Sequence, residues 1–396
     1  MPLLALWESN PSAIGEFTIE QVVSTAGDGN LRDGSLCSRE LQTFLSQVRS
    51  EKLSEYVTHC LGAKFDKGGM VLQDLVNELG RRLDYDVSNG RYQGAAGHIG
   101  HDGLWKSPEG HTILVEVKTT DAYRISLDTI AGYRTKLASN GLDLDGSSIL
   151  IVVGRQDTGE LEAQIRGSKH AWDIRLISAE ALTKLVAIKE NSDEPETGTK
   201  IRSVLAPVEY TRLDKLADLM FAAATDVEPE FSASATEKAD SSTEIASSIV
   251  HEMTDARLLQ AKRELIIAAM GAKLETKFVR KSRALYQSAD HTKRVACTIS
   301  KRYETAATYW YAYHPKWDAF LSEGAESLFV LGCMDIDKAF SLPRELIYSL
   351  LPSLHLSENE KSRYWHIHIS ERDAGQYELV IPRKRNLELK TYEIAL

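Results

Sequence analysis

From Ser38 to Cys60 the apolar residues Leu41, Phe44, Leu45, Val48, Leu53, Tyr56 and Val57 fall near helical spacing, which predicts a helix with one buried stripe. Lys67-Gly68-Gly69 interrupts the pattern. A second stripe, Leu72, Leu75, Val76, Leu79 and Leu83, predicts a helix from about Met70 to Leu83, and Tyr85 to Ser88 reads as a short strand. Gly94, Gly97, Gly100 and Gly103 then follow too densely for a helix interior. Ile113 to Thr119 alternates as a strand does, and Ser107-Pro108-Glu109-Gly110 before it is a turn signal, so residues 101–119 are expected to form a β-hairpin. Ser126 to Leu137 reads as helix, and Ser148 to Val153 is the continuous apolar run of a strand buried on both faces. A helix near Leu161–Ile165, a strand at Trp172–Ile177 and a helix at Ala179–Lys189 complete the order, which implies an α/β fold with a mixed sheet covered by helices.

Past Asn191 the pattern weakens. Residues 201–225 read as partly helical, and Asp226 to Ser248, rich in Ser, Ala, Thr, Glu and Pro, as a flexible linker. A helix at Ala256–Met270 and strands at Lys277–Arg280, Arg294–Ser300 and Ala307–Tyr313 open a second, α+β region, continued by a helix near Pro315–Leu321 and strands around Ser327–Leu331, Trp365–Ile369 and Tyr377–Ile381. The expected organisation is an extension over 1–37, an α/β domain over 38–190, a helical segment and linker over 191–248, and a C-terminal α+β domain over 249–396.

Charge adds an asymmetry. The net charge of -10 excludes a wholly basic DNA-coating protein, yet within residues 262–302 eleven Lys and Arg stand against three acids. An acidic body with such a patch can meet nucleic acid through the patch alone. Lys277, Arg280, Lys281, Arg283, Lys293 and Arg294 are the phosphate-contacting candidates. The four cysteines form no CxxC pair, and the start of the chain lacks a basic leader, so a cytoplasmic protein without a membrane span is expected.

The segment that carries chemistry is Gly100-His101-Asp102-Gly103 with Glu116-Val117-Lys118 on the following strand. Side chains alternate along a strand, so Glu116 and Lys118 share a face, and a five-residue loop from Ser107 to His111 would set Asp102 across from Glu116. Two carboxylates suit Mg²⁺, a hard cation that binds through one or two carboxylates plus phosphate and water; the Val117 carbonyl is a further candidate oxygen. Such a metal lowers the pKa of bound water and neutralises phosphate charge, while Lys118 could orient the water or steady the phosphate in flight. Glu-x-Lys on an exposed strand is otherwise only a solvated face.

Asp102, a gap of thirteen residues, then Glu116-Val117-Lys118 resembles the PD-(D/E)XK nuclease superfamily, the restriction-endonuclease-like fold, and the element order over roughly residues 40–190 resembles it too. His101 stands where the family has a proline. The resemblance implies a metal-dependent DNA endonuclease using Mg²⁺, with Mn²⁺ able to substitute, and adds Glu78 as an acidic helix residue near the metal. It suggests restriction or phage defence as the setting, with repair or recombination as a second one, and a homo-oligomer for double-strand cutting. A different class is a non-cutting DNA-binding scaffold in an ATPase-driven complex. The chain has no Walker A motif, so any ATPase or helicase activity would belong to a partner protein. Elsewhere, His98 and His101, the polar run Gln164, Arg166, Ser168 and His170, the aromatic strand Tyr309–Tyr313 and the pair His366 and His368 read first as loop, helix surface, sheet and core, and second as substrate or metal contacts.

Overall fold

The computed structural model describes residues 3–63, 65–93, 99–118, 125–139, 141, 143, 145–154, 159–192, 196–206, 256–303, 308–358, 363–373 and 375–396. The chain divides into two compact units, Met1–Val227 and Glu228–Leu396.

Unit 1 is built on a five-stranded mixed sheet. Its strands are β1 (Asp86–Asn89), β2 (Gly103–Lys106), β3 (Thr112–Lys118), β4 (Ser147–Val153) and β5 (Ile174–Ser178), in that spatial order. β1, β2 and β3 are antiparallel neighbours, and β3, β4 and β5 run parallel. Every residue of β4 is buried, as its unbroken apolar run predicts. One core lies between the sheet and the helices α4 (Leu36–Gln47), α5 (Ser50–Gly62), α6 (Gly68–Arg82) and α9 (Ala179–Asn191). A smaller core forms on the other face against α7 (Leu127–Ala138) and α8 (Gly159–Arg166). The unit is therefore mixed α/β, as expected.

Three local expectations change. The helix predicted over Ser38–Cys60 is two helices, because Val48 and Arg49 turn to extended backbone. The carbonyls exposed by that break are met from α6: the Arg82 guanidinium donates to Leu45 O at 3.3 Å, Ser46 O at 3.1 Å and Val48 O at 2.8 Å. Secondly, residues 1–37 are not an appendage. Helices α1 (Leu3–Ser9), α2 (Pro11–Gly15) and α3 (Ile19–Thr25) place Leu3, Ile14, Ile19 and Val22 in the main core, and Glu40 accepts from the amides of Leu3 and Gly27, both at 3.0 Å. Thirdly, the chain after Asn191 still belongs to this unit. In α10 (Thr197–Leu205) Ile201 and Leu205 join the core, and Arg202 donates to Leu83 O at 3.0 Å. The linker predicted over Asp226–Ser248 lies outside the described residues.

α6 is buried on its polar as well as its apolar side. Leu72, Leu75, Val76 and Leu79 have no exposure, and Gln73, Asp74, Asn77, Glu78 and Arg82 are buried too. Every one of those polar side chains has a hydrogen-bonding partner, as burial requires. Gly80 lets the helix approach the sheet: a Cβ there would lie 2.6 Å from the indole of Trp105, which is fully buried.

In unit 2, α11 (Ala256–Lys273) packs on a six-stranded sheet whose other face meets a second sheet. Alternation on β8 (Lys293–Ser300) shows how one buried strand serves two cores. Val295, Cys297 and Ile299 face α11, while Ala296 faces the second sheet. Tyr309, Tyr311 and Tyr313 on β10 (Thr308–Tyr313) are buried core residues of that second interface. Among the described residues no helix is long and apolar enough to cross a membrane.

Candidate active site

The hairpin β2–β3 forms in the expected register. Its loop is Ser107–His111, Lys106 pairs with Thr112, and the last paired position is Gly103 with Val115. Asp102 stands at the end of this ladder, its amide donating to Val115 O at 3.0 Å. Its carboxylate turns back along β3, where Oδ2 accepts the Val117 amide at 2.6 Å. Glu116 is mostly buried, with a side-chain exposure of 13%, and its Oε1 accepts from Lys118 Nζ, whose side chain is 35% exposed. The structure thus brings Asp102, Glu116 and Lys118 together at one end of the hairpin. Of Val117, it is the amide that engages Asp102.

Burial, and then the negative charge of Glu116, push the Asp102 carboxyl up to about 6, against the pull of the Val117 amide and the Lys118 ammonium. Two carboxylates pressed together with one lysine form a site that gains from a bound cation. Among the described contacts, Oδ1 of Asp102 and Oε2 of Glu116 accept no hydrogen bond. One open oxygen on each of two carboxylates fits Mg²⁺ or Mn²⁺, whose remaining positions water and phosphate oxygens fill. Asp102, Glu116 and, through its carbonyl, Val117 are the residues that would hold such an ion. Among the described residues no three His, Cys, Asp or Glu side chains gather into a metal-holding group of their own.

His101 lies within the field of Glu116; burial lowers its pKa and Glu116 opposes that shift, while its Nδ1 is buried with no hydrogen-bond partner among the described residues. His98 lies outside the described residues.

Glu78 is engaged by its own helix. Its Oε1 accepts from Arg82 Nε at 2.9 Å and its Oε2 lies 3.6 Å from Arg81 Nη1, with the side chain only 4% exposed. It is the counter-ion of the guanidinium that closes the α4–α5 break, and none of its hydrogen bonds reaches Asp102. α6 instead presents Gln73 and Asn77 to the site. Gln73 Nε2 donates to Asp102 O at 3.0 Å and Asn77 Nδ2 donates to the same oxygen at 2.8 Å. Neither stands out in the sequence, because polar residues beside an apolar helical stripe read as solvated. Their i, i+4 spacing was the available signal.

Other candidates resolve into structural roles. Gln164 clasps the backbone of Ile125, accepting its amide at 3.2 Å and donating to its carbonyl at 2.6 Å. His170 Nε2 hydrogen-bonds Asp128 at 2.9 Å. His366 accepts from Trp310 Nε1 at 2.9 Å through Nδ1 and meets Ser357 Oγ at 2.7 Å through Nε2, so both ring nitrogens are engaged.

In the basic patch of unit 2, Arg294 is held by the fold. Its side chain is 11% exposed, pairs with Glu323 at 2.6 Å and donates to Phe320 O at 2.8 Å. Both bonds are made by Nη1, so this part of the guanidinium is committed within the fold rather than offered to a phosphate. Lys293 donates to Leu274 O at 2.7 Å, and Arg280 Nε donates to Ser282 O at 3.2 Å. Lys277, Lys281 and Arg283 also have interaction partners within the protein.

No protein-family model matches the chain, and no curated protein matches it.

Proposed function

We propose that unit 1 is a Mg²⁺-dependent DNA endonuclease of the restriction-endonuclease-like kind, with Asp102 and Glu116 as metal ligands and Lys118 as the charged group that acts on the phosphate. The observation that supports this reading most is the convergence of the three side chains at the end of β2–β3, where each carboxylate keeps one oxygen without a hydrogen bond from the described residues. A bound divalent cation supplies Lewis acidity and an acidified water. Val117 fixes Asp102 through its amide, and Glu116 fixes Lys118 through an ion pair. Lys118 is the most exposed of the pair, so its ammonium can meet a scissile phosphate or hold a water beside it. An ammonium has donors and no lone pair, so it serves substrate and water rather than the metal. One such centre cuts one strand per encounter, and double-strand cleavage then calls for two copies of the chain.

The test is plasmid cleavage with and without Mg²⁺ by the full chain and by Asp102→Ala and Glu116→Ala. Cleavage by the parent that both variants lose, with circular dichroism unchanged, is expected. Near-parental nicking by either variant overturns the assignment. DNA binding by the parent without cutting, at any Mg²⁺ or Mn²⁺ concentration, points instead to the non-cutting scaffold.

A further inference from the structure

We propose that Gln73 and Asn77 are positioning residues for the Asp102 carboxylate, an inference that rests on Asp102 being a metal ligand. The Asp102 carbonyl accepts three hydrogen bonds, from Asn77 Nδ2 at 2.8 Å, Gln73 Nε2 at 3.0 Å and the Gly90 amide at 2.9 Å. One donor would satisfy a buried carbonyl, and Gly90 supplies one. Two further amides from a helix, 4% and 1% exposed, put more rigid support on this peptide than solvation requires.

The orientation of Asn77 is not arbitrary. An indole N–H can only donate, and Trp105 Nε1 donates to Asn77 Oδ1 at 2.9 Å. The amide nitrogen is thereby turned to Asp102 O. Trp105 is itself fully buried against Gly80 and Tyr85, so the amide is held from behind. Position 103 completes the arrangement: a Cβ on Gly103 would run into Asn77 Oδ1, and only glycine leaves that space. The chain from α6 through Trp105 to the Asp102–Gly103 peptide is a single packed linkage. With the peptide fixed at its carbonyl and Oδ2 fixed by Val117, the direction of Oδ1 is determined before any metal arrives. A ligand aimed in advance binds its ion without reordering, and loosening such support costs metal affinity or rate by about 10- to 100-fold.

The experiment measures Mn²⁺ affinity by calorimetry on the full chain, together with kcat and KM for plasmid DNA. It compares the parent with Gln73→Met, Asn77→Asp and Asp102→Asn. Gln73→Met keeps the length of the side chain and leaves two donors on the carbonyl, so its fold should hold. Asn77→Asp keeps the acceptor for Trp105 and removes the N–H donor. The expected result is about 10-fold weaker Mn²⁺ binding or more in each of these two, kcat falling with it, and KM for DNA unchanged. Folded variants with parental Mn²⁺ affinity and kcat, beside an Asp102→Asn that loses Mn²⁺, overturn the clamp and leave the site reading standing. Undiminished Mn²⁺ affinity in Asp102→Asn overturns the site reading and the clamp with it. A fall in KM affinity for DNA alone, with Mn²⁺ binding intact, also counts against positioning.

Discussion

Lys118 and Glu116 sit two residues apart on one face of a strand, and the proposed function gives them different roles. In Lys118→Met the apolar stem remains and the charge is gone. Cleavage should fall by at least about 100-fold, the scale of a lost electrostatic contact to the reacting group. Mn²⁺ affinity, read by calorimetry, should stay within a few fold of the parent. Loss of metal binding equal to that of Asp102→Ala would place Lys118 in the structure of the site instead. A second carboxyl makes a prediction about pH. Asp74 is almost wholly buried, and this burial pushes it up to about 7 from an ordinary 3.8, against hydrogen bonds from Tyr92 and Gln42. Below the ordinary value both folded and unfolded chains carry the proton and Asp74 is neutral to stability. As pH rises from about 4 to 7 the unfolded chain ionises first, so folding loses stability, on the order of a few kcal/mol, and the loss levels off above about 7. Asp74→Asn should remove that slope. Denaturation midpoints of parent and variant at several pH values between 4 and 8 check it; a constant gap between the two would sink the idea.

At the scale of the element, α6 joins the helical layer to the site. Its Arg82 closes the carbonyls left by the α4–α5 break, and Glu78 balances that charge in a buried pair. Removing one partner of such a pair leaves a bare charge in the interior, with a penalty of about 3–5 kcal/mol. Glu78→Ala should therefore lower the melting temperature strongly. At a temperature where it remains folded, its Mn²⁺ affinity should be near the parental value, since Glu78 makes no hydrogen bond to Asp102. A variant that melts normally but has lost metal would restore Glu78 to the active site. The Glu109–Arg202 pair ties α10 to the hairpin loop in a similar way, and it holds the Glu109 carboxyl down to about 2.

For the whole molecule, the proposed function raises the question of where DNA affinity would reside. Phosphate contact through unit 2 predicts that a fragment covering residues 249–396 binds duplex DNA with a log–log salt slope of about -4 to -5, if about five cations meet phosphates. Replacing Lys277 and Lys281 by Ala should flatten that slope by up to about two units and weaken all sequences alike. Arg294→Ala should instead destabilise the fragment, because the guanidinium holds Glu323 and the Phe320 carbonyl. Titration of DNA at several salt concentrations, with thermal melts of each variant, separates the two effects. A folded fragment without salt-dependent binding, beside an intact chain that binds well, would move the DNA contact to unit 1 or to a partner.

The sequence by itself determined the elements whose pattern is local. The alternation of Ile113–Lys118, the unbroken run of β4 and the turn at Ser107–Gly110 led directly to the sheet and its register, because strand periodicity and loop length fix which residues face each other. The same locality made Asp102, Glu116 and Lys118 visible as a candidate site, since one hairpin carries all three. Tertiary structure decided the rest. α6 reads as amphipathic, yet sheet and helices cover both its faces, so its polar side chains became internal partners rather than solvated ones. That Gln73 and Asn77 meet Asp102 while Glu78 turns to Arg82 depends on which neighbour each side of the helix meets, and so does the division of Ser38–Cys60 into two helices. The apolar spacing across that break is nearly continuous, and the distant guanidinium of Arg82 satisfies the broken carbonyls in the interior. The basic run of 262–302 likewise appears uniform in sequence, and packing is what commits Arg294 to the fold.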